Sequence, residues 1–162
     1  MVSLLRLLEK AAGEESGQYI HLGATTQDII DTGMVLALKE MLERTEEKLC
    51  SILTSVCNLA EKYADTPMMG RTHNIQALPI TFGYKAAVWG GELGRCLDRI
   101  KESKERVLVL QLSGAVGSMV SFGENGAQIQ RLMAQKLKLN VPDICWHACR
   151  DRYVEFANDR HI

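Results

Sequence analysis

The sequence predicts an all-α protein built from long helices. Three observations carry that reading. Apolar residues recur at three- and four-residue steps over two long stretches. The only three prolines, Pro67, Pro79 and Pro142, fall in or beside connectors. No stretch alternates apolar and polar residues in the way a half-buried strand would.

The first helix runs roughly from Val2 to Ala12. Its opening, "VSLLRLLEKA", has only Ser3 as a cap and reads like the interior of a longer chain. "FANDRHI" at the other end also stops inside a helical pattern. "GEESGQYIHLGATTQ" is a loop. Thr25 or Thr26 caps the next helix, and Asp28 sits in its first turn, where the helix dipole favours an anion.

That helix runs roughly from Gln27 to Tyr63. Ile30, Met34, Ala37, Met41 and Leu42 form an apolar stripe, continued by Leu49, Ile52, Leu53, Val56, Leu59 and Ala60, and the stripe reads as core. Charged residues from Lys39 to Lys48 fill the other face. At 1.5 Å per residue it would span about 55 Å, a length that belongs to bundles of long helices. A second long helix runs roughly from Pro79 to Leu112, with the proline in its first turn. Gly83, Gly90, Gly91 and Gly94 inside it predict close packing against neighbouring helices, because each costs up to about 1 kcal/mol relative to alanine. "SGAVGS" ends the pattern. A third helix covers about Gly123 to Leu137, "LNVPDICW" connects, and a last helix begins near Ala148. The domain reading is the end of an N-terminal helical region with its loop over 1–24, and part of a central long-helix bundle domain over 25–162.

Composition excludes several function classes. The 162 residues carry 19 basic and 20 acidic side chains, so no basic excess suggests nucleic acid. No apolar run approaches membrane length. The five cysteines are scattered and odd in number, which favours reduced thiols and a cytoplasmic setting. Cys145 and Cys149 with His147 between them lack a second ligand pair, so a zinc site is not expected.

Three polar clusters lie at helix ends. The first is His21-Leu22-Gly23-Ala24-Thr25-Thr26-Gln27-Asp28. It reads either as a capped helix or as a carboxylate or phosphate site made by free N–H groups and two hydroxyls. The second is Gly70-Arg71-Thr72-His73. Arginine grips a carboxylate bidentately, and histidine exchanges protons near neutral pH. A structural histidine is the alternative. The third is Trp146-His147-Ala148-Cys149-Arg150-Asp151-Arg152, for which a helix start with Asp151 paired between two arginines is the plain alternative.

In this order, "HLGATTQDIIDT", "GRTHNIQALPITFGYKAAVW", "SGAVGS" and "RDR" resemble the fumarase/aspartase superfamily. The match is closest to the branch holding adenylosuccinate lyase and 3-carboxy-cis,cis-muconate cycloisomerase, from about Tyr19 to Phe156. The resemblance implies long helices that assemble into a tetrameric bundle, with each active site drawing segments from three subunits. It implies an anti elimination: a base removes a proton beside a carboxylate, donors stabilise the carbanion, and an acid protonates the leaving nitrogen or oxygen as fumarate departs. The substrate would be a small dicarboxylate-bearing molecule, and no metal or organic cofactor is implied.

Carried over by motif, His73 corresponds to the catalytic histidine, a general acid. Thr72, Thr25 and Thr26 would bind substrate carboxylates, and His21 matches a substrate-binding histidine of adenylosuccinate lyases. Arg71 and Gln76 flank the histidine in the same motif as substrate-binding positions. Ser113 and Gly114 match a turn that approaches the site. Arg150 and Arg152 match the "RDR" arginines, in a substrate-binding or structural role.

Departures keep the subfamily open. "THLQ" is here Thr72-His73-Asn74-Ile75, and Gln76 stands where adenylosuccinate lyases usually place histidine. "WH-x-x-RDR" and "VLVLQLSGAVGS" look more like the cycloisomerase. The family's Ser-Ser-x-Met-Pro-x-Lys-x-Asn loop, which supplies the base serine, has no counterpart in these residues. The 162-residue chain alone is therefore expected to be inactive in a turnover assay. Adenylosuccinate-type C–N cleavage and cycloisomerase-type chemistry compete within the enzyme reading. A non-catalytic helical oligomerisation module is the alternative outside it.

Overall fold

The structure, a computed structural model, describes residues 2–158. Among them are five α-helices: α1 Val2–Gly17, α2 Thr26–Lys62, α3 Phe82–Val107, α4 Gly126–Leu137 and α5 Asp151–Asn158. A two-stranded antiparallel hairpin, β1 Pro67–Thr72 and β2 Ile75–Thr81, joins α2 to α3. A 3₁₀ segment, Val120–Asn125, precedes α4. The predicted helical class holds, and α2 begins and ends within one residue of its expected bounds. The expected end of the first helix at Ala12 falls at a kink, where Gly13 takes φ 79° before helix resumes to Gly17.

The chain divides into two compact units, one up to Lys39 and again from Glu105 to Ala157, the other from Glu40 to Lys104. In the first, Val35, Val109, Leu110, Leu112, Ala134, Leu139 and Trp146 form the apolar centre. Its polar backbone groups are paired from within. The Trp146 indole donates to the Leu110 carbonyl at 3.0 Å, and the Gln130 amide donates to the Leu112 carbonyl at 2.9 Å. Leu110 N–H and Asn140 N–H donate to the carbonyls of Asn140 and Leu108, joining the two connectors.

In the second unit, the α2 and α3 portions run antiparallel. Glu46 pairs with Lys104, Leu53 and Val56 lie against Gly90, and Ala60 and Ala64 lie against Gly83. Leu42, Leu49, Cys96, Leu97 and Ile100 are buried there. Tyr63 and Phe82 meet edge to face at 5.4 Å, and Phe82 N–H donates to the Thr66 carbonyl at 2.9 Å. These contacts close the base of the hairpin.

The glycine expectation is met at two of four positions. A Cβ on Gly83 would lie 2.5 Å from the Ala60 carbonyl oxygen and 2.6 Å from Ala64 Cα, whereas one on Gly94 would meet nothing within 4 Å. Gly83→Ala should therefore cost about 1–3 kcal/mol, since both neighbours are backbone and cannot swing away. Gly94→Ala should gain up to about 1 kcal/mol through helix propensity alone. Urea unfolding midpoints that moved in the same direction would contradict this.

Three expectations are corrected. The segment read as a helix junction is a hairpin, and Pro79 lies in β2 opposite Met69. A two-stranded sheet consists of edges, so a proline without N–H is tolerated there. Asn140, Val141 and Pro142 lie in a connector, as expected. The apolar stripe named on α2 is buried only in part: Leu42 and Leu49 are buried, as expected. Ile30 (50%), Met34 (51%), Met41 (40%) and Ile52 (49%) are exposed. Asp28, Asp31, Thr32, Val35 and Leu38, which lie outside the named stripe, are buried as well. Long apolar stripes on both sides of a helix carry no label for which side the chain's own core covers.

Candidate active site

The site is built where α2 begins. Thr25 precedes the first turn, and Asp28 reaches back from its third helical position to accept the Thr25 N–H at 3.0 Å. This is the returning half of a capping box, with aspartate in place of glutamate. Asp28 is also 1% exposed and accepts from three further donors. Ser113 N–H, Gly114 N–H and the Gln111 side-chain amide each lie 3.0 Å from one of its oxygens. One carboxylate thus fixes the loop after α3 against the start of α2. Positive φ at Gly114 (78°) lets that loop turn beneath Gly23, whose carbonyl oxygen would be 3.0 Å from a Cβ placed there.

Gln111 and Thr32 complete this lock. Thr32 Oγ donates to the Gln111 carbonyl at 2.7 Å and stands 3.2 Å from the Gln111 N–H. Gln111 Oε1 accepts from Trp146 N–H at 3.1 Å. The sequence reading placed Asp28 only as a helix-dipole partner and did not single out Gln111, Asp31 or Thr32. The signal was present as three polar residues, 28, 31 and 32, at helical spacing on one face of an amphipathic helix.

The predicted residues fall into two groups. His21, Thr25, Thr26, Ser113, Arg150 and Arg152 lie in the first unit. His21 takes φ 62°, and its Nε2 is buried without a partner among the described residues. Ser113 is 1% exposed, and its Oγ is likewise unpartnered there. The Thr25 and Thr26 hydroxyls make no hydrogen bond among the described residues, so they are open to a ligand. The Ser113 and Gly114 amides are not, because Asp28 already occupies them.

Arg150 does not pair with Asp151. It donates to Asp31 Oδ1 at 2.8 Å, and its guanidinium lies over the Tyr153 ring. Asp31 is 3% exposed and also accepts from Gln27 Nε2 at 2.9 Å. Arg152 donates to the Arg106 carbonyl and stacks over Trp146.

Tyr153 OH donates to the Asp31 carbonyl at 3.2 Å. Its pKa is pushed from 10.0 up to about 12, first by burial, then by the Asp31 charge, with Arg150 pulling the other way. The folded state thus holds this proton more tightly than the unfolded chain. That contribution is complete below pH 10 and is lost as pH rises through about 12. Tyr153→Phe should flatten this alkaline decline in urea midpoints measured across the window. An unchanged decline would contradict it.

Arg71, Thr72, His73 and Gln76 lie on the hairpin of the second unit. His73 (φ 46°) and Asn74 (φ 64°) are the two turn residues between Thr72 and Ile75. Positive φ at both matches a two-residue primed turn, and histidine and asparagine tolerate that region better than most residues. Residues 71–79 are all exposed, and the side chains of Arg71, Thr72, His73 and Gln76 make no hydrogen bond or ion pair among the described residues. Below the tip, the register shifts at Gly70 and Arg71, and a Cβ on Gly70 would sit 2.9 Å from the Leu78 carbonyl.

A family model described as "Lyase" matches residues 4–159. N-acetyl-S-(2-succino)cysteine lyase of Enterococcus italicus is 46% identical over 98% of the chain and 34% of its own length. Adenylosuccinate lyase of Methanocaldococcus jannaschii is 38% identical over 97% of the chain and 35% of its own length. The crystal structure of 3-carboxy-cis,cis-muconate lactonizing enzyme from Pseudomonas putida superposes with a TM-score of 0.90 at 42% identity, covering 98% of this chain and 37% of that one. The chain spans about a third of the length of the curated relatives it matches. Matching the family model from residue 4 to residue 159, and with relatives named for lyase activities, the chain belongs to the fumarase/aspartase superfamily of lyases.

Proposed function

We propose that the whole protein is a lyase that removes a nitrogen or sulfur leaving group from a succinyl-bearing substrate by anti β-elimination and releases fumarate. The observation that carries this is the start of α2. There two threonine hydroxyls stand open, and His21 Nε2 and Ser113 Oγ are buried without partners. Buried polar atoms left unpaired are costly, and a ligand that supplies the missing partners removes the cost. The names of two relatives, adenylosuccinate lyase and N-acetyl-S-(2-succino)cysteine lyase, share a succinyl group on a heteroatom.

In this reading Thr25, Thr26 and Ser113 grip a substrate carboxylate, His21 orients the substrate, and Arg150, held by Asp31, neutralises its charge. Arg152 keeps the α5 start in place beside them. His73 is the general acid, carried into a composite site by the exposed hairpin together with Arg71, Thr72 and Gln76. The base belongs to another segment of the whole protein. Exposed Ile30, Met34 and Ile52 on α2 support a homo-oligomer, a tetramer in the family, whose sites combine subunits. Residues 25–162 are then part of its central helical domain. Five free cysteines support a reducing cytoplasmic setting.

A second reading, cycloisomerase chemistry, rests on the Trp146-His147-x-x-Arg150-Asp151-Arg152 pattern. The test is to incubate the whole protein separately with N-acetyl-S-(2-succino)cysteine, adenylosuccinate and 3-carboxy-cis,cis-muconate, following fumarate release or loss of the muconate. Fumarate from either succinyl substrate is the expected result, and which one reacts assigns the heteroatom. Conversion of the muconate alone would overturn the proposal in favour of the second reading. No conversion of any of them would favour a non-catalytic helical module.

A further inference from the structure

Cys145 lies in the connector between α4 and α5 and is partly exposed. Its Sγ is 3.3 Å from His147 Nδ1. The Gln111 side-chain amide has two N–H groups. One is spent on Asp28, and Nε2 lies 3.6 Å from the same sulfur. The thiol therefore faces an imidazole that can take its proton and an amide that can donate to the resulting anion. Thiolate character, more than exposure, sets cysteine reactivity. Cys50, Cys57 and Cys149 are more exposed, but have no such pair among the described residues. Cys96 has Arg99 Nη2 at 3.0 Å from its sulfur but is 1% exposed.

The other side of the sulfur is covered by Gly117. With φ 77°, it brings the turn after Gly114 down onto the thiol, where a Cβ would stand 2.6 Å from Sγ and 3.7 Å from His147 Cε1. The Gly117 N–H closes that turn on the Gly114 carbonyl at 3.2 Å. This is the loop whose Ser113 and Gly114 amides rest on Asp28. A group added to Sγ on the Gly117 side would meet that turn, and it would compete for the Gln111 amide.

We propose that Cys145 is a covalent modification site for electron-poor alkenes, with His147 as its base, and that the adduct loosens the Ser113–Gly117 loop. The Sγ proton passes to Nδ1. The sulfur electron pair forms a C–S bond to the alkene carbon β to the carbonyl. The π pair moves to the carbon beside the carbonyl, and that carbon takes the proton back from the imidazolium. Nothing leaves, and no oxidant or reductant is needed. The inference stands apart from the lyase reading, because its test needs no turnover.

The test treats the whole protein with limiting N-ethylmaleimide and reads each cysteine by peptide mass spectrometry. Cys145 should label about tenfold faster than Cys149, the exposed thiol of the same connector. His147→Gln should slow Cys145 about tenfold and leave Cys149 unchanged. After labelling, the Ser113 and Gly114 amides should exchange with deuterium faster, and a Cys145→Ser protein treated in the same way should show no change. A Cys145 rate at or below that of Cys149 in the unaltered protein would overturn the site without recourse to any variant. An unchanged rate in His147→Gln would remove the base. Unchanged amide protection after labelling would remove the link to the loop.

Discussion

Asp28→Ala is expected to lower the stability of the protein by about 3–5 kcal/mol. The carboxylate accepts the N–H groups of Thr25, Ser113 and Gly114 and the amide of Gln111, all at 3.0 Å, the Thr25 bond partly buried and the other three buried. Alanine would leave four donors facing one another. An unpaired buried donor costs about 1–3 kcal/mol, and water entering the space offsets part of the sum. Asparagine at the same position keeps the volume and one acceptor oxygen. It turns an amide NH₂ toward N–H donors, so Asp28→Asn should recover only part of the loss. For a domain of this size the alanine change corresponds to a melting temperature lower by about 6–20 °C. Calorimetry or urea unfolding of both variants measures this. A loss under about 1 kcal/mol would mean the loop is held by something other than this carboxylate.

His73→Asn is expected to cut kcat by about 10²–10⁴ while leaving stability within about 0.5 kcal/mol. The first effect follows from the loss of proton transfer in the proposed role. The second follows from position. His73 is exposed at a hairpin tip, and asparagine accepts the φ of 46° that the turn requires. A β-branched replacement would mix the two effects by straining the turn. The kinetic part is read with whichever substrate the whole protein converts, and the stability part by thermal unfolding. A kcat loss below tenfold would take the general-acid role away from His73. A large stability loss would make it a structural turn residue.

The two sites of these predictions were not equally legible. His73 is singled out beside Arg71 and Thr72 with a structural histidine as the alternative, and the family resemblance supplies its expected role. Its setting was not legible. "GRTHNIQALPIT" has two proline- or glycine-marked strands too short and too exposed for clear alternation, so it read as a junction. The turn chemistry of His73-Asn74 was the available signal. Asp28 was read as a helix-start anion, which is true of its local geometry. That it also holds a loop some 85 positions away is a long-range fact that no local pattern states.

The sequence by itself determined that two long helices are present and where α2 begins and ends, because periodicity and capping act within a few residues, whereas α3, Phe82–Val107, is shorter at both ends than the expected Pro79 to Leu112. α2 starts and stops within a residue of its expected bounds. The sequence likewise carried the motif residues and their order. Only the tertiary structure decided which apolar stripe of α2 faces inward, that Arg150 turns to Asp31 rather than to its neighbour Asp151, and that Cys145 meets His147 beneath Gly117. The first two, and the placing of Gly117 over the Cys145 sulfur, depend on which surfaces meet across the chain. A helix with apolar residues on two faces, or an arginine with two carboxylates in reach, is settled by packing and desolvation rather than by local spacing.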